Sequence, residues 1–247
     1  MEYGLQLYSV RDLAQKDLAQ ALRQVAALGY TSVEFAGFFG HSAEDVVRML
    51  EENSLSVSGA HVGWEEISPA RIGDTVAYHK AIGNTTLIIP WGDYSTAEKL
   101  DAAIDALNAA QSILEAEGMM LGYHNHAFEY QFTPYGALPY REIEERTSVM
   151  LEIDTYWVYA AGIDPIETLK RLGDRVRVIH VKDGLVDGTG RALGEGTAPV
   201  EQVVAYAQEQ GIPMVVESED LDPTGIEEVA RCMRYLKSLD AQASRRH

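Results

Sequence analysis

Polar side chains suited to metal binding or proton transfer follow four short apolar runs of the sequence. They come in pairs whose members are two residues apart, so on a strand both members share one face of the sheet. Carboxylates in such positions need partners, because an unpaired buried carboxylate costs several kcal/mol or takes up a proton. If the strands are parallel neighbours, the pairs converge at their C-terminal ends. The pairs are His124 with His126, Glu152 with Asp154, His180 with Lys182, and Glu217 with Glu219.

The elements that must position these pairs are short apolar runs, which alternate with stretches of helical periodicity along the 247 residues. Eight strand-plus-helix units can be traced. Their number and the chain length predict a single-domain (β/α)8 TIM barrel over residues 1–247. In that fold the catalytic groups lie at the C-terminal ends of the strands, where the polar pairs fall. An open doubly wound sheet would carry a glycine-rich fingerprint after its first strand, and residues 8–12 contain no glycine.

Apolar runs, capping residues and glycines give approximate bounds for these elements. Strands are predicted within residues 3–10, 31–36, 55–62, 85–90, 119–126, 149–155, 176–183 and 212–219. Helices are predicted over about residues 17–28, 42–53, 70–82, 96–117, 199–210 and 224–239, with a short helix before the sixth strand and another near Pro165. A glycine-rich loop is predicted to follow the seventh strand.

Composition and charge exclude several classes of protein. Apolar residues make up 46% of the chain, and its single cysteine, Cys232, excludes an internal disulfide and a cysteine metal cluster. We expect Cys232 to be a small core or surface residue of a helix. The formal charge of −18 repels nucleic acid, and the longest basic cluster is Arg245-Arg246. Without a membrane-length apolar run or a signal-peptide pattern, we expect a cytoplasmic protein with no membrane or nucleic acid partner.

Three of the polar residues end successive predicted strands: Asp154, His180 and Glu217. Two carboxylates and an imidazole suit a divalent ion such as Mn²⁺, Mg²⁺, Co²⁺ or Zn²⁺. Each residue also has an ordinary structural role open to it. Asp154 could cap a helix, His180 could be a hydrogen-bonded core histidine, and Glu217 could pair with an arginine. Their occurrence together at equivalent strand ends favours a metal site.

Four segments give the sequence a resemblance to a known family, the xylose isomerase-like barrels, and the resemblance covers nearly the whole chain. The segments are Tyr123–His126, Leu151–Trp157, His180–Asp183 and Gly194–Gly196. They look most like the sugar phosphate isomerase/epimerase group. The family also includes ketose 3-epimerases, hydroxypyruvate isomerase, inosose dehydratase-like proteins and endonuclease IV, so membership implies a fold and a type of site without defining the substrate.

The resemblance implies one divalent cation, held by an acid on strand five, an aspartate on strand six, a histidine on strand seven and a glutamate on strand eight. The last three match this sequence, whereas strand five carries His124 where the epimerases have a glutamate. Trp157 replaces a histidine that often follows the strand-six aspartate by three residues. Mn²⁺ is expected first, with Mg²⁺, Co²⁺ or Zn²⁺ as alternatives. The metal ligands predicted in this way are His124, Asp154, His180 and Glu217.

The resemblance also implies a function, that of a metal-dependent isomerase or epimerase of a sugar or keto-sugar. A base removes the proton α to a carbonyl, and the cation stabilises the resulting enediolate. Glu217 is the predicted base on one face of the sugar, but His124 in place of a glutamate removes the second carboxylate base. A lyase or dehydratase that acts on a keto-sugar or inosose through the same intermediate is therefore an alternative.

A second proton carrier would have to be His126, Glu152 or Lys182. Glu152 lies two residues deeper than Asp154, roughly 7 Å along a strand, so it could instead pair with Lys182 or a histidine. His126 could instead orient His124 or bind the metal itself. Lys182 could also neutralise the barrel mouth or bind a substrate oxygen or phosphate, and we slightly favour substrate binding.

Further residues at the predicted mouth are candidates for substrate binding, and they join Lys182 in that role. His61 and Glu34, at the ends of strands three and two, could bind sugar hydroxyls, although Glu34 could equally pair with Arg11. An aromatic face suits the C–H surface of a sugar ring, with core packing as the alternative, and Trp157 is the aromatic residue predicted to bind substrate. The tryptophans that follow predicted strands are Trp64, Trp91 and Trp157.

Two functions outside sugar isomerisation also use this fold. A phosphodiesterase of the endonuclease IV type needs a richer metal cluster and a basic surface, which the charge of −18 disfavours. A non-catalytic sugar-binding barrel remains open. No basic cluster near the strand ends marks a phosphate site, so we expect an unphosphorylated sugar, inositol derivative or 3-keto-sugar. A homo-oligomer is expected only by analogy with the family.

Overall fold

Eight parallel strands close into a barrel in the computed structural model, which describes residues 1–244. The last strand pairs with the first, with Gly4 beside Val215 and Leu5 beside Val216. The predicted (β/α)8 TIM barrel is therefore confirmed. The basic pair Arg245-Arg246 lies outside the described residues. The barrel strands are β1 (Gly4–Gln6), β2 (Ser32–Phe35), β3 (Ser56–His61), β4 (Thr86–Ile89), β5 (Met120–His124), β6 (Met150–Asp154), β7 (Val176–Val181) and β8 (Met214–Val216).

Helices surround the barrel, and several begin at a side chain that accepts a hydrogen bond from the first helical turn. Such N-caps include Asp17, Ser42, Thr96, Asp164 and Thr224. The helices are α1 (Arg11–Ala14), α2 (Leu18–Leu28), α3 (Ala43–Asn53), α4 (Ile72–Ala81), α5 (Ala97–Ala116), α6 (Pro139–Arg146), α7 (Thr155–Ala160), α8 (Pro165–Leu172), α9 (Val200–Gln210) and α10 (Gly225–Ala243). Short 3₁₀ helices cover Leu7–Val10, Phe128–Tyr130 and Gly173–Arg175.

Several strands end earlier than predicted on the side that forms the barrel mouth. β1 stops at Gln6, because the Gln6 side chain accepts a hydrogen bond from a backbone amide two residues on, and the chain turns into the 3₁₀ helix Leu7–Val10. His126, Lys182 and Glu217 lie just beyond the ends of β5, β7 and β8. These three side chains therefore stand on loops at the mouth.

The barrel interior is apolar toward the N-terminal ends of the strands and polar toward their C-terminal ends. The buried apolar cluster inside the barrel consists of Ile88, Met150, Val178 and Val215. Two residues further along three of these strands, and so on the same face, come Glu152, His180 and Glu217. Because apolar side chains fill the lower interior, the polar groups above them must pair with one another or with a ligand that enters from the mouth.

The glycine-rich loop after β7 is organised around one carboxylate. A short antiparallel hairpin joins Asp183–Gly184 to Gly190–Arg191. The Asp183 carboxylate accepts backbone hydrogen bonds at 2.8–3.1 Å from Gly184, Gly194, Gly196 and Ala198. This arrangement fixes the loop against the barrel end that carries the polar side chains.

Two expectations from composition can be compared with the structure. Cys232 is fully buried on α10, so it is a core residue. Within residues 1–244, no helix combines the length and the apolar character needed to cross a membrane.

Candidate metal centre

Four buried side chains converge at the C-terminal ends of neighbouring strands. Each offers one donor atom, and these donor atoms all lie within 4.8 Å of one another. Asp154 on β6 stands directly beside His180 on β7 in the sheet register. The structure thus brings together the four residues predicted as metal ligands. We call them the ligand cluster: His124, Asp154, His180 and Glu217.

Asp154 uses its two carboxylate oxygens differently. Its Oδ1 accepts hydrogen bonds from the backbone amides of Tyr156 at 2.9 Å and Trp157 at 3.0 Å, so it caps α7. Its Oδ2 is buried and has no hydrogen-bond partner among residues 1–244. Burial raises the pKa of Asp154 to about 7, although Lys182 opposes this rise. The helix-cap alternative therefore accounts for one oxygen and leaves the other available to a cation.

A layer of buried carboxylates supports the histidines from inside the barrel. His180 Nε2 lies 2.8 Å from Glu34 Oε1, and His124 Nδ1 lies 3.1 Å from Glu152 Oε2. His61 Nε2 contacts both carboxylates, at 2.8 Å from Glu152 and 3.1 Å from Glu34. A carboxylate behind an imidazole fixes its orientation, a common arrangement for histidines that bind metal. His124 keeps Nε2, and His180 keeps Nδ1, for the ligand cluster.

The structure decides between several pairings that the sequence left open. Glu34 accepts a hydrogen bond from Gln6 at 2.6 Å in addition to its histidine contacts, while Arg11 donates to two backbone carbonyls. The pairing of Glu34 with Arg11 is therefore wrong. Glu152 contacts three histidines, as one alternative proposed, and its pairing with Lys182 is wrong. Gln6 was missed, although a polar residue in the first apolar run was a usable signal.

Charge in this buried layer is divided between protonated histidines and ionised carboxylates. Burial lowers the pKa of a histidine, but Glu34 and Glu152 outweigh burial and raise the pKa of His61 to about 10 and that of His180 well above its usual value. Burial would raise the pKa of Glu34 and Glu152, yet the histidines hold both below their usual value. Burial lowers the pKa of His124 to about 3, so its imidazole is neutral and keeps a lone pair.

Lys182 lies among carboxylates on the other side of the ligand cluster. Its Nζ is 3.0 Å from Glu219 Oε1, 3.4 Å from Glu217 Oε2 and 4.0 Å from Asp154 Oδ2. The ammonium group also lies 4.7 Å from the centre of the Trp157 ring, within cation–π range. Burial opposes ionisation of Glu217, but Lys182 and His180 hold the pKa of Glu217 well below its usual value. Glu217 pairs with these two groups and not with an arginine.

His126 stands beside the ligand cluster, and its Nδ1 lies 4.0 Å from Glu129 Oε1. Its ring centre lies 5.0 Å from that of His124, and its Nδ1 is buried without a hydrogen-bond partner in the described part of the chain. Its backbone amide donates to Glu129 Oε2 at 2.8 Å. Glu129 Oε1 accepts from the Tyr123 hydroxyl at 2.9 Å, and Tyr123 accepts from Tyr94 at 2.7 Å. Glu129 was not predicted from the sequence, because a buried acid in a loop leaves no periodic signal.

A cavity of about 530 Å³ opens at the barrel mouth onto the ligand cluster. Its lining consists of Tyr8, Ala36, His61, Val62, Gly63, Pro90, Trp91, His124, His126, Glu217 and Glu219. The other predicted site residues are not part of this lining: Glu34, Glu152, Asp154, Trp157, His180 and Lys182. Among the predicted site residues, a molecule in the cavity would therefore meet His61, His124, His126 and Glu217.

The residues of the ligand cluster fit a divalent cation. Two carboxylates and two imidazoles form a mixed oxygen and nitrogen donor set, which suits Mn²⁺, Co²⁺ and Zn²⁺ and is less typical for Mg²⁺. The free Asp154 Oδ2 and the neutral His124 imidazole both present unshared electron pairs. A cation at His180 would displace a proton from that side chain, so its binding would depend on pH.

Comparison with known proteins agrees with this architecture. A crystal structure of a sugar phosphate isomerase/epimerase from Parabacteroides distasonis ATCC 8503 is 28% identical, with a TM-score of 0.82 over 95% of this chain and 97% of that chain. Inosose dehydratase of Geobacillus kaustophilus (strain HTA426) is 24% identical over 188 residues, which are 66% of this chain. This match spans 61% of the length of the dehydratase.

A third relative has the same fold at lower identity. The crystal structure of the IOLI protein with a bound zinc atom has a TM-score of 0.74 at 15% identity, over 98% of this chain and 99% of that chain. A family model described as a xylose isomerase-like TIM barrel matches residues 22–238, which is most of the chain. The closed barrel of eight parallel strands agrees with that match. The chain therefore belongs to the xylose isomerase-like TIM barrel family.

Proposed function

We propose that the protein is a divalent-metal-dependent isomerase or epimerase of a sugar or keto-sugar, which acts by removing a proton α to a carbonyl. The observation that carries this proposal is the convergence of four donor atoms within 4.8 Å at the edge of a cavity. The similarity to a sugar phosphate isomerase/epimerase over nearly the whole chain supports the same class of reaction.

In this proposal the ligand cluster of His124, Asp154, His180 and Glu217 holds one divalent cation, with Mn²⁺ expected first. The cation would supply positive charge next to the substrate oxygens on which negative charge develops when the proton leaves. Asp154 and Glu217 contribute two negative charges to the ligand set. Two carboxylates balance the charge of a divalent ion, whereas three would leave the site with a net negative charge.

Two groups that line the cavity are proposed to move protons. Glu217 accepts the proton from the carbon next to the carbonyl, since Lys182 at 3.4 Å favours its ionised form. His126 is the second carrier, because its imidazole lines the cavity, while its buried Nδ1 lies 4.0 Å from Glu129 Oε1. Glu152, below the cavity, orients His61 and His124 and does not touch the substrate.

The remaining predicted residues are proposed to position the substrate and the base. His61 lines the cavity and can hydrogen-bond a sugar hydroxyl. Glu34 holds His61 and His180 from inside the barrel. Lys182 bridges Glu217 and Glu219, and Trp157 covers its ammonium group. The effect of Glu34, Lys182 and Trp157 on the sugar is therefore electrostatic or indirect.

A dehydratase that acts on a keto-sugar or inosose is the second candidate. The similarity to inosose dehydratase favours it, and so does His124, which stands where the epimerases have a second carboxylate base. The first step is the same proton removal by Glu217. His126 then protonates the leaving hydroxyl group, in place of reprotonating carbon.

Exchange of substrate hydrogen for solvent deuterium tests both candidates. The Mn²⁺-loaded protein is incubated in D₂O with unphosphorylated ketoses, inososes and 3-keto-sugars, and the products are read by NMR. We expect deuterium at the carbon next to the carbonyl, loss of exchange on chelation, and loss in Glu217→Gln but not in Glu167→Gln on the outer helix α8. Carbonyl migration, inversion or loss of water then identifies the reaction. Sugar binding without any exchange would contradict the proposal and leave a non-catalytic binding protein.

A further inference from the structure

The cavity continues past the ligand cluster to a wall of exposed aromatic surface. Tyr8 is 44% exposed and Trp91 is 55% exposed, and both line the cavity with Val62 and Pro90. These residues follow β1, β3 and β4, whereas the ligand cluster lies at the C-terminal ends of β5 to β8. The wall therefore lies on the half of the mouth formed by β1 to β4, next to the cluster, where it could contact a part of the substrate that does not react.

The Tyr8 ring and the backbone of Trp91 are held in position before any ligand binds. The Arg11 guanidinium lies 4.2 Å from the centre of the Tyr8 ring and donates to the Glu219 carbonyl at 2.8 Å. The Trp64 indole donates to the Trp91 carbonyl at 2.7 Å. A preformed surface binds a ring with little loss of conformational freedom.

The charges around the cavity disfavour a phosphate group on the substrate. Within residues 1–244, the cavity lining contains Glu217 and Glu219 but no lysine or arginine, and the His61 imidazole that lines it already contacts Glu34 and Glu152. The nearby cations are already engaged, since Lys182 contacts both glutamates and Arg11 donates to backbone carbonyls. A phosphate would meet carboxylates without the charge-assisted donors that bind it elsewhere.

The size of the cavity exceeds what one sugar ring needs. A volume of about 530 Å³ falls within the range of roughly 300–1,000 Å³ that holds drug-sized ligands. We infer that the substrate is an unphosphorylated sugar that carries a ring substituent with an apolar face, and that this ring lies against Tyr8 and Trp91. A second sugar ring and an aryl group share this chemistry. The orientation of the reacting sugar toward the ligand cluster rests on the proposed function.

Binding of matched probes tests the inference without requiring turnover. Calorimetry compares methyl β-glucoside, phenyl β-glucoside, a β-linked glucose disaccharide and glucose 6-phosphate on the Mn²⁺-loaded protein. We expect at least one ring-bearing probe to bind roughly tenfold more tightly than the methyl glucoside, and the better probe identifies the ring type. Trp91→Ala should remove this gain and Trp91→Phe should retain part of it. Phe132→Ala, at a 76% exposed aromatic outside the lining, should leave it unchanged.

Two results would overturn the inference. One is equal or undetectable binding of the methyl and ring-bearing probes, and the other is tightest binding of glucose 6-phosphate. Repeating the series after chelation separates this inference from the proposed function, because the ring contributes without the cation. A retained affinity gain with no deuterium exchange would contradict only the proposed function. Exchange without the affinity gain would contradict only the inference.

Discussion

At the residue scale, buried acids with two different environments define the site. Asp154 is tied to the first turn of α7 through Oδ1 and offers Oδ2 to the ligand cluster. Glu129 accepts hydrogen bonds through both oxygens, from the Tyr123 hydroxyl and the His126 amide. Asp154 therefore presents a charge to a ligand, whereas Glu129 fixes the loop that carries His126.

Glu129 makes a testable contribution to the pH dependence of stability. Burial raises the pKa of Glu129 to about 8, even though its hydrogen bonds from Tyr123 and His126 favour the ionised form. The folded protein therefore keeps a proton that the unfolded chain releases above its ordinary pKa of 4.5. Stability should fall as pH rises through this window and level off above pH 8.

The free energy of unfolding in urea, measured at about pH 6 and pH 9, checks this prediction against Glu129→Gln. The wild type should lose about 2–3 kcal/mol more than the variant between these pH values. The difference between the two proteins isolates Glu129, because all other groups titrate in both. Parallel pH profiles would show that Glu129 is ionised in the folded protein.

The sequence was sufficient to predict which residues meet at the site, but not the role and the supporting contacts of each residue. His124, Asp154, His180 and Glu217 could be found because strand alternation places each at the end of a parallel strand. Their roles as metal ligands remain a prediction. The hydrogen bond between Gln6 and Glu34 beneath them could not be predicted, because it links residues 28 positions apart. Only closure of the barrel reveals such pairs.

At the scale of elements, the loop after β7 depends on the absence of a side chain at one position. A Cβ on Gly196 would overlap Asp183 Oδ1 and lie 2.5 Å from the Gly184 amide nitrogen. Gly196→Ala should therefore lower the free energy of unfolding by about 1–3 kcal/mol, by forcing the Asp183 carboxylate from its backbone donors. Urea denaturation measures the loss.

A glycine in an open position provides the matched control. A Cβ on Gly73 in α4 meets nothing within 4 Å. Gly73→Ala should raise the free energy of unfolding by about 0.5 kcal/mol, since alanine favours the helix. Equal effects of the two alanine substitutions would contradict the role assigned to the Asp183 loop.

The order of the elements was predictable, and their ends at the mouth were not. Apolar periodicity marks a strand as far as its side chains face the core, which gave the eight strands in the correct order. Periodicity does not detect where a side chain takes the place of a neighbouring strand as a hydrogen-bond partner. The Gln6 side chain does so, because it accepts a hydrogen bond from a backbone amide just after β1. The first strand was therefore predicted over residues 3–10, whereas β1 covers Gly4–Gln6.

At the scale of the whole molecule, a bound cation should stabilise the barrel. The ligand cluster joins four strands, and a cation that binds only the folded chain adds about 2.7 kcal/mol at a concentration of 100 times its Kd. For a chain of this size that corresponds to a rise in Tm of about 5–10 °C. Differential scanning fluorimetry with Mn²⁺ and then with a chelator measures this shift. An unchanged Tm at saturating Mn²⁺ would argue against a cation that links the strands.

The metal content of the purified protein tests the central claim most directly. After loading with Mn²⁺ and removal of the excess, elemental analysis compares the wild type with Asp154→Asn and Asp164→Asn. Both variants keep an oxygen that can cap a helix, because Asp164 caps α8 as Asp154 caps α7, but only Asp154 belongs to the ligand cluster. We predict one equivalent of metal in the wild type and in Asp164→Asn, and a large loss in Asp154→Asn. Metal-free wild type, or full retention in Asp154→Asn, would contradict the assignment of this site.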